Sequence, residues 1–412
     1  MRQIVAVRLA TAQKGITHAL MRDAQGERTP RATLYATALR HGLFGVVPVL
    51  TTAFTMYIAV RGHAFAVDFH NGEWPAGLRL LHGLSPYFDP HSAAVLSAGS
   101  PHPAVTPMVY PALGALLCAA FALLPHTVAD IAFTCLDMSA VLVALRLVDV
   151  RDWRLYGLVL MWPPVVSGWQ TANITLLLVL GLAAVWRYRD RALLSGVILA
   201  TLISIKVILW PLGLWLLATR RYMALAYALL SGLVLNVIAW SVLGFGELPR
   251  YLRVLQAFDH AGERRAYSTF GLALHLGASR PVAMILGFVL AAIVALGCYV
   301  VGRRGQDRVS FTLCVAVALL ATPIVWLHYF ALLVVPLALL RPRFSTVWLL
   351  PLALLVCPPT SPATWQIVLA LSVSAVLVTV AAWQATARPR RLHVRLGATR
   401  PIARSSPTTP NL

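Results

Sequence analysis

Charge is scarce in this chain. Only 12% of its 412 residues are Asp, Glu, Lys or Arg, about half the ~25% usual in soluble domains. Acids are the rarer sign, 14 against 34 Lys and Arg. Cysteine is sparse too: Cys118, Cys135, Cys298, Cys314 and Cys357 are scattered through apolar runs, with no CxxC and no Cys/His grouping. No disulfide framework or zinc site is expected from them, and they read as small buried hydrophobes. The chain also lacks GxxxxGKS/T, HExxH, GxSxG and any GxGxxG in a strand setting. A nucleotide-driven pump and a protease therefore have no support.

Apolar sequence takes the place of the missing charge. Hydrophobic residues make up 59% of the chain and the mean hydropathy is +0.76, values of an integral membrane protein. A net charge of +20 would suggest nucleic acid in a soluble protein. Here the basic residues fall at the ends of apolar runs and in both tails, where they orient a chain in the bilayer and attract anionic head groups. The expected partner is the lipid bilayer, and no nucleic acid is expected.

A basic tail, residues 1–42, precedes a first helix near 43–60, and a second basic tail occupies 387–412. Both tails are expected to be cytoplasmic, the second disordered. Between them, 43–386 reads as one all-α polytopic membrane domain. Further apolar runs fall near 128–147, 155–166, 171–186, 192–205, 207–219, 222–243, 282–302, 309–322, 324–340, 344–357 and 365–386. Basic turns at 146–154, 187–191, 220–221, 303–308 and 341–343, all placed inside, let these twelve runs alternate. Several are shorter than the ~20 residues a crossing needs, so about twelve transmembrane or re-entrant helices are expected. The segment 62–127 then becomes a long first extracytoplasmic stretch, and 244–281 a second outer loop. Within the first, 110–125 either lies at the interface or spans while another short run does not; both readings stay open.

Residues with chemistry gather in the outer pieces. The stretch "VDFHNGEWPAGLRLLHGLSPYFDP" (67–90) holds three of the acids. Asp68, just beyond the first helix, suits general-base work at the membrane surface, or equally a helix cap. Glu73 ranks below it, and Asp89, before Pro90, fits turn chemistry. Lys206 interrupts "ATLISIKVILWPLGLWLL". It is either a cation for a phosphate or a side chain that snorkels to the interface. Arg250, Arg253, Arg264, Arg265 and Arg280 crowd the second outer loop, as a phosphate clamp or as charges that a long loop tolerates. Gln170 and Asn173 in "GWQTAN" offer amides for sugar hydroxyls or for capping. His328 in "WLHYF" offers an acid/base or an interfacial side chain.

The order of these pieces resembles a known family. "VDF" (67–69), "LLHGLSPYFDP" (80–90), "VYPALGALLCAAFALLP" (109–125), "SGWQTANITLLLVLGL" (167–182), "SGVILATLISIKVILWPLGLWLLATRRY" (195–222) and "TPIVWLHYFALLVVPLALL" (322–340) are similar in order to the polyprenol-phosphate-mannose-dependent alpha-mannosyltransferases of actinobacteria. These form glycosyltransferase family 87, of the multi-spanning GT-C fold, and the likeness runs over roughly 45–385. It implies inverting transfer of a mannosyl unit from a polyprenyl-phosphate sugar to a glycolipid or lipoglycan acceptor at the extracytoplasmic face of the cell membrane.

Residue by residue, the resemblance puts the acid after the first helix on Asp68, the Trp-x-His element on Trp326 and His328, and the mid-chain lysine on Lys206. Tyr110 and Pro111 carry over, while Ala112 stands where the family has a second proline. The family's Gly-Gln-Asn appears as Gly168-Trp169-Gln170 with Asn173 three residues on, so Trp169 is an insertion. Lys206 with Arg264 and Arg265 would hold the donor phosphate, and Asp68 or His328 would take the acceptor proton. Tyr110, Gln170, Asn173 and Trp326 would contact substrate. No metal or other cofactor is expected. Mannose rests on the resemblance alone, and an arabinofuranosyl or glucosyl donor stays open. The competing class is a transporter or flippase of lipid-linked sugars, which would gather its ionisable groups at the bilayer midplane and often show internal repeats.

Overall fold

The computed structural model describes residues 30–87 and 106–387, and within these it is entirely helical. Asp89, residues 1–29 and residues 388–412 lie outside the described residues, whereas 30–42, read from sequence as the end of the first tail, is helical. The described residues open with α1 (Pro30–His41), a π-helical turn (Gly42–Val46) and α2 (Val47–Arg61), which run on as one long helix, apolar from Tyr35 to Arg61. Its interior is apolar, and the π-helical turn just before Pro48 accommodates the backbone hydrogen bond that the proline cannot donate. Four further helices are long and apolar enough to cross a membrane: α5 (His126–Leu147), α11 (Tyr222–Leu243), α14 (Arg280–Arg303) and α17 (Thr364–Ala387). On α11 and α14 the large side chains Leu229, Leu233, Val237, Ile285, Val289 and Ile293 are exposed. That is the face a bilayer covers and water does not.

Shorter elements fill the interior. They are α3 (Trp74–Leu81), α4 (Ala112–Phe121), α6 (Arg154–Leu160), α7 (Pro163–Thr171), α8 (Thr175–Arg187), α9 (Ala192–Ile205), α10 (Leu212–Ala218), α12 (Leu248–Gly262), α13 (Thr269–His275), α15 (Asp307–Leu320) and α16 (Val334–Leu340). The 3-10 segments Leu327–Leu333 and Thr346–Val356 join them, the latter with Pro351 inside. Trp162, Trp169, Trp215 and Trp348 are fully buried at the centre. The Trp162 indole donates to the Trp348 carbonyl at 3.0 Å. The inserted Trp169 is thus a core side chain. At ten residues α4 is half the length of a crossing, and half of it is buried against α3, α9 and α11. Close approach to α3 depends on Gly77, where a Cβ would sit 2.5 Å from the Cys118 carbonyl oxygen.

Two interruptions position the site. Proline at the start of α7 favours helix initiation, and Ala172 ends α7 in the left-handed region (φ 53°). The Asn173 amide returns to the Gly168 carbonyl at 2.9 Å, a C-terminal reversal of the kind that closes helices. The axes of α7 and α8 therefore meet at 118°. The second break is at Lys206, whose backbone is extended (φ −150°, ψ 114°) between α9 and a 3-10 turn, Val207–Leu209. Pro211 lacks an N–H and clashes with the carbonyl four residues back, so a continuous helix through this point is disfavoured. The two segments meet where the sequence places them, at Ile205–Lys206.

The basic turns come together in space. Arg221 grips Asp307 through two contacts of 2.9 and 2.8 Å, and Arg189 reaches the same carboxylate at 3.4 Å. Three of the five turns, at 187–191, 220–221 and 303–308, are thus tied to one acid. The turn at 146–154 meets the one at 341–343 through Asp152, which accepts from Arg154 at 2.7 Å and from the Phe344 amide at 2.9 Å. Arg154 holds the Asp152 carboxyl at about 2, below the usual carboxylate range. Turns assigned to one side of the bilayer by charge are joined to one another by ion pairs and hydrogen bonds.

Candidate active site

Asp68 stands between α2 and a π-helical turn, Phe69–Glu73. Such turns recur at functional sites because they re-aim side chains within a helical path. The loop before it is anchored at Ala66, which has φ 53°, an unfavourable region for a residue with a Cβ. Its amide donates to the Gln170 carbonyl at 2.7 Å. Gln170 thereby fixes the segment after α2 to the α7–α8 reversal through its main chain. Asp68 makes no capping hydrogen bond to its own helix, so the capping alternative is not the role it has here.

The Asp68 carboxylate accepts from Asn173 Nδ2 at 2.9 Å. Asn173 has little freedom to do otherwise. Its Oδ1 accepts from the Thr175 amide at 3.1 Å and the Thr175 hydroxyl at 2.7 Å, which leaves Nδ2 pointed at the acid. Lys206 Nζ completes the cluster, donating to Thr175 Oγ1 at 3.1 Å and to Asn173 Oδ1 at 3.5 Å. The ammonium also lies 4.1 Å from the Tyr329 ring centre and 5.2 Å from that of Tyr110, an aromatic cage for a desolvated cation. Lys206 is 8% exposed, so it is buried within protein and does not snorkel. Asp68 keeps a solvent-facing edge; burial by the surrounding protein nevertheless dominates and raises its carboxyl, with the Asn173 bond and Lys206 opposing.

Glu73, ranked low on sequence, is buried beside this cluster with the Tyr110 phenol against it. Burial is the main reason its carboxyl rises to about 8; Asp68 adds to the rise, while Tyr110 and Lys206 counter it. Asp137 of α5 is fully buried, and both its carboxylate oxygens lack a hydrogen-bond partner. The field of Lys206 acts on Asp68, Glu73 and Asp137 alike. Thr175, Tyr329, Glu73 and Asp137 are the members that sequence reasoning missed or underweighted. For Asp137 a signal existed: an acid inside the apolar run 128–147 is functional by default.

The remaining expected residues sit at varying distance from this centre. His328 is buried, its Nε2 without a partner, with its ring edge-to-face on Tyr329 at 5.0 Å. Trp326 is partly exposed and meets Phe258 of α12 at 6.3 Å. Arg264 and Arg265 are both exposed, held by the Leu274 carbonyl and the Ser361 hydroxyl, each at 3.3 Å. Their segment is joined to the irregular stretch 323–326: the Tyr267 amide donates to the Val325 carbonyl at 2.7 Å, and the Ser268 hydroxyl to the Pro323 carbonyl. These arginines therefore lie beside the stretch that leads into the 3-10 segment of His328 and Tyr329, outside the Asp68–Asn173–Lys206 contact set.

A buried lysine, an acid and an amide from three distant segments make a polar centre inside an all-helical membrane protein. The family model for glycosyltransferase family 87 matches residues 108–323, just over half of the chain. The chain belongs to glycosyltransferase family 87. It is a multi-pass membrane glycosyltransferase, as the helices and the family together require. The family match contains Tyr110, Gln170, Asn173, Lys206, Arg264 and Arg265, while Asp68, Trp326 and His328 lie beyond it; of these Asp68 is bonded to the cluster, through Asn173. No curated protein and no solved structure matches the chain.

Proposed function

We propose that this glycosyltransferase moves a hexosyl unit, mannose on the strength of the sequence resemblance, from a polyprenyl-phosphate sugar to a hydroxyl of a glycolipid or lipoglycan. The transfer takes place on the extracytoplasmic face of the cell membrane, with both termini cytoplasmic. One observation carries the reading: Asp68 and Lys206 flank the same side chain, Asn173. This supplies a proton acceptor and a phosphate-neutralising cation on either side of one polar point.

In this reading the acceptor hydroxyl attacks the anomeric carbon of the donor. A new C–O bond forms as the bond from that carbon to the phosphate oxygen breaks, and attack from the opposite face inverts the anomeric centre. Asp68 takes the hydroxyl proton. The electron pair leaves with the polyprenyl phosphate, whose charge Lys206 stabilises in a water-poor setting where each electrostatic contact is stronger. Asn173 orients the base, and Tyr110 and Tyr329 hold the ammonium in place. His328 and Trp326 line the approach from the irregular stretch 323–326, with Arg264 and Arg265 meeting the phosphate from the rim. A lipid phosphate clamped by cations is an adequate leaving group, so this step uses no metal.

The test is transfer by purified protein in nanodiscs, given polyprenyl-phosphate mannose, arabinofuranose or glucose in parallel with a glycolipid fraction. Mannose transfer that persists in excess EDTA is the expected outcome. Transfer of another sugar alone would overturn the donor assignment, and EDTA loss restored by one divalent ion, with the melting temperature unchanged throughout, would overturn the metal-free step. Movement of lipid-linked sugar across the bilayer without transfer would favour the flippase reading.

A further inference from the structure

His70, His126 and Asp130 take no part in the transfer described above, yet they form the one grouping of metal-ligating side chains among the described residues. One ligand atom from each lies within 4.8 Å of the others. His126 and Asp130 are four residues apart at the start of α5, so they share one helix face a turn apart. That is the spacing by which a helix offers two ligands to one ion. His70 comes from the π-helical turn, sixty residues away from Asp130 in sequence, and supplies the third.

We infer that His70, His126 and Asp130 form a divalent transition-metal site that clamps the π-helical turn onto the start of α5. Two imidazoles and one carboxylate are a donor set for zinc and its first-row neighbours. Asp130 is buried, and its Oδ1 has no hydrogen-bond partner, an orphaned acceptor that an ion would satisfy. Its Oδ2 is 2.7 Å from His70 Nδ1, where metal uptake exchanges the shared proton for the ion and releases it. The rings of His70 and His126 are stacked, with centres 3.7 Å apart and planes 11° apart, and His126 also stacks on Trp74 at 4.0 Å. Parallel rings do not aim their lone pairs at one point, so binding turns one ring out of the stack. Both imidazoles are partly exposed, which gives the ion an entry path and the rings room to turn. The clamp closes a long chain segment, the case in which a metal clip restricts the unfolded chain most. It also fixes the short turn that separates Asp68 from Glu73.

The inference stands on these three side chains and does not depend on the transfer reading. The test uses full-length, tag-free protein stripped with EDTA, dialysed, and titrated with Zn²⁺ and then Co²⁺. The expected result is one tightly held zinc per chain, a raised melting temperature, and a cobalt visible spectrum of nitrogen and oxygen ligation. His126→Gln and Asp130→Asn should each weaken zinc binding by at least about tenfold and remove the cobalt spectrum. Wild-type protein that binds no stoichiometric zinc and yields no cobalt spectrum would overturn the inference, even were the variants unfolded. Equal binding by folded His126→Gln protein would overturn it too, since the chain's other histidines would then be holding the ion.

Discussion

Lys206 is the residue on which the site's electrostatics turn. It is buried between two tyrosine rings, and its charge acts on three carboxyls. Lys206→Met keeps the length of the side chain and removes the ammonium. If the cation stabilises charge on the leaving phosphate, kcat should fall by about 10²–10³ with a smaller change in KM. A lower melting temperature with kcat unchanged would make Lys206 only a packing element. Glu73 yields a pH prediction. Its folded value of about 8 lies above the ~4.3 of an unfolded glutamate, so between these values the folded chain holds the extra proton and stability falls as pH rises. The apparent melting temperature should therefore decline from pH 5 to pH 8.5, and Glu73→Gln should flatten that decline. Asp68, Lys206 and Asn173 were legible in sequence because each is a polar residue out of place beside an apolar run. Glu73 was legible only as an acid in a polar stretch; what raises it is burial beside Tyr110, a tertiary fact with no local signature.

Helices were easier to read than their contacts. Tyr222–Leu243 has the ends read from sequence, and the break at Lys206 falls where the two short runs meet. Hydropathy and punctuation are local signals, and these elements obey them. The run at 344–357 reads as an ordinary apolar segment but winds as a 3-10 helix across Pro351, because a proline in a helix interior removes one hydrogen bond and crowds the preceding turn. A turn between the runs 155–166 and 171–186 was expected, but not its position: α7 continues to Thr171, and the 118° bend comes at Ala172, in a conformation that alanine seldom takes. The close crossing of α3 and α4 offers a direct test. Gly77→Val places a branched side chain where even a Cβ would meet backbone, so it should destabilise by about 1–3 kcal/mol. A thermal melt of the purified variant would show it, and an unchanged midpoint would mean that α3 can draw back from α4.

At the scale of the whole molecule, the family match ends short of both Asp68 and His328, yet the fold returns Asp68 to Asn173 across 105 residues. The bundle's purpose in this reading is that convergence. The first outer segment supplies the base, the α7–α8 reversal supplies its orienting amide, and the α9 break supplies the cation. Composition could say that the chain lives in a membrane, and charge gave an expectation of how it threads. Neither could say that three breaks in helical structure would meet at one point. The decisive comparison is transfer of labelled sugar from a polyprenyl-phosphate donor by wild-type and Asp68→Asn protein, folded equally by melting temperature. A fall in kcat of about 10²–10⁴ is expected if Asp68 is the base; transfer at the wild-type rate would show that the proton goes elsewhere.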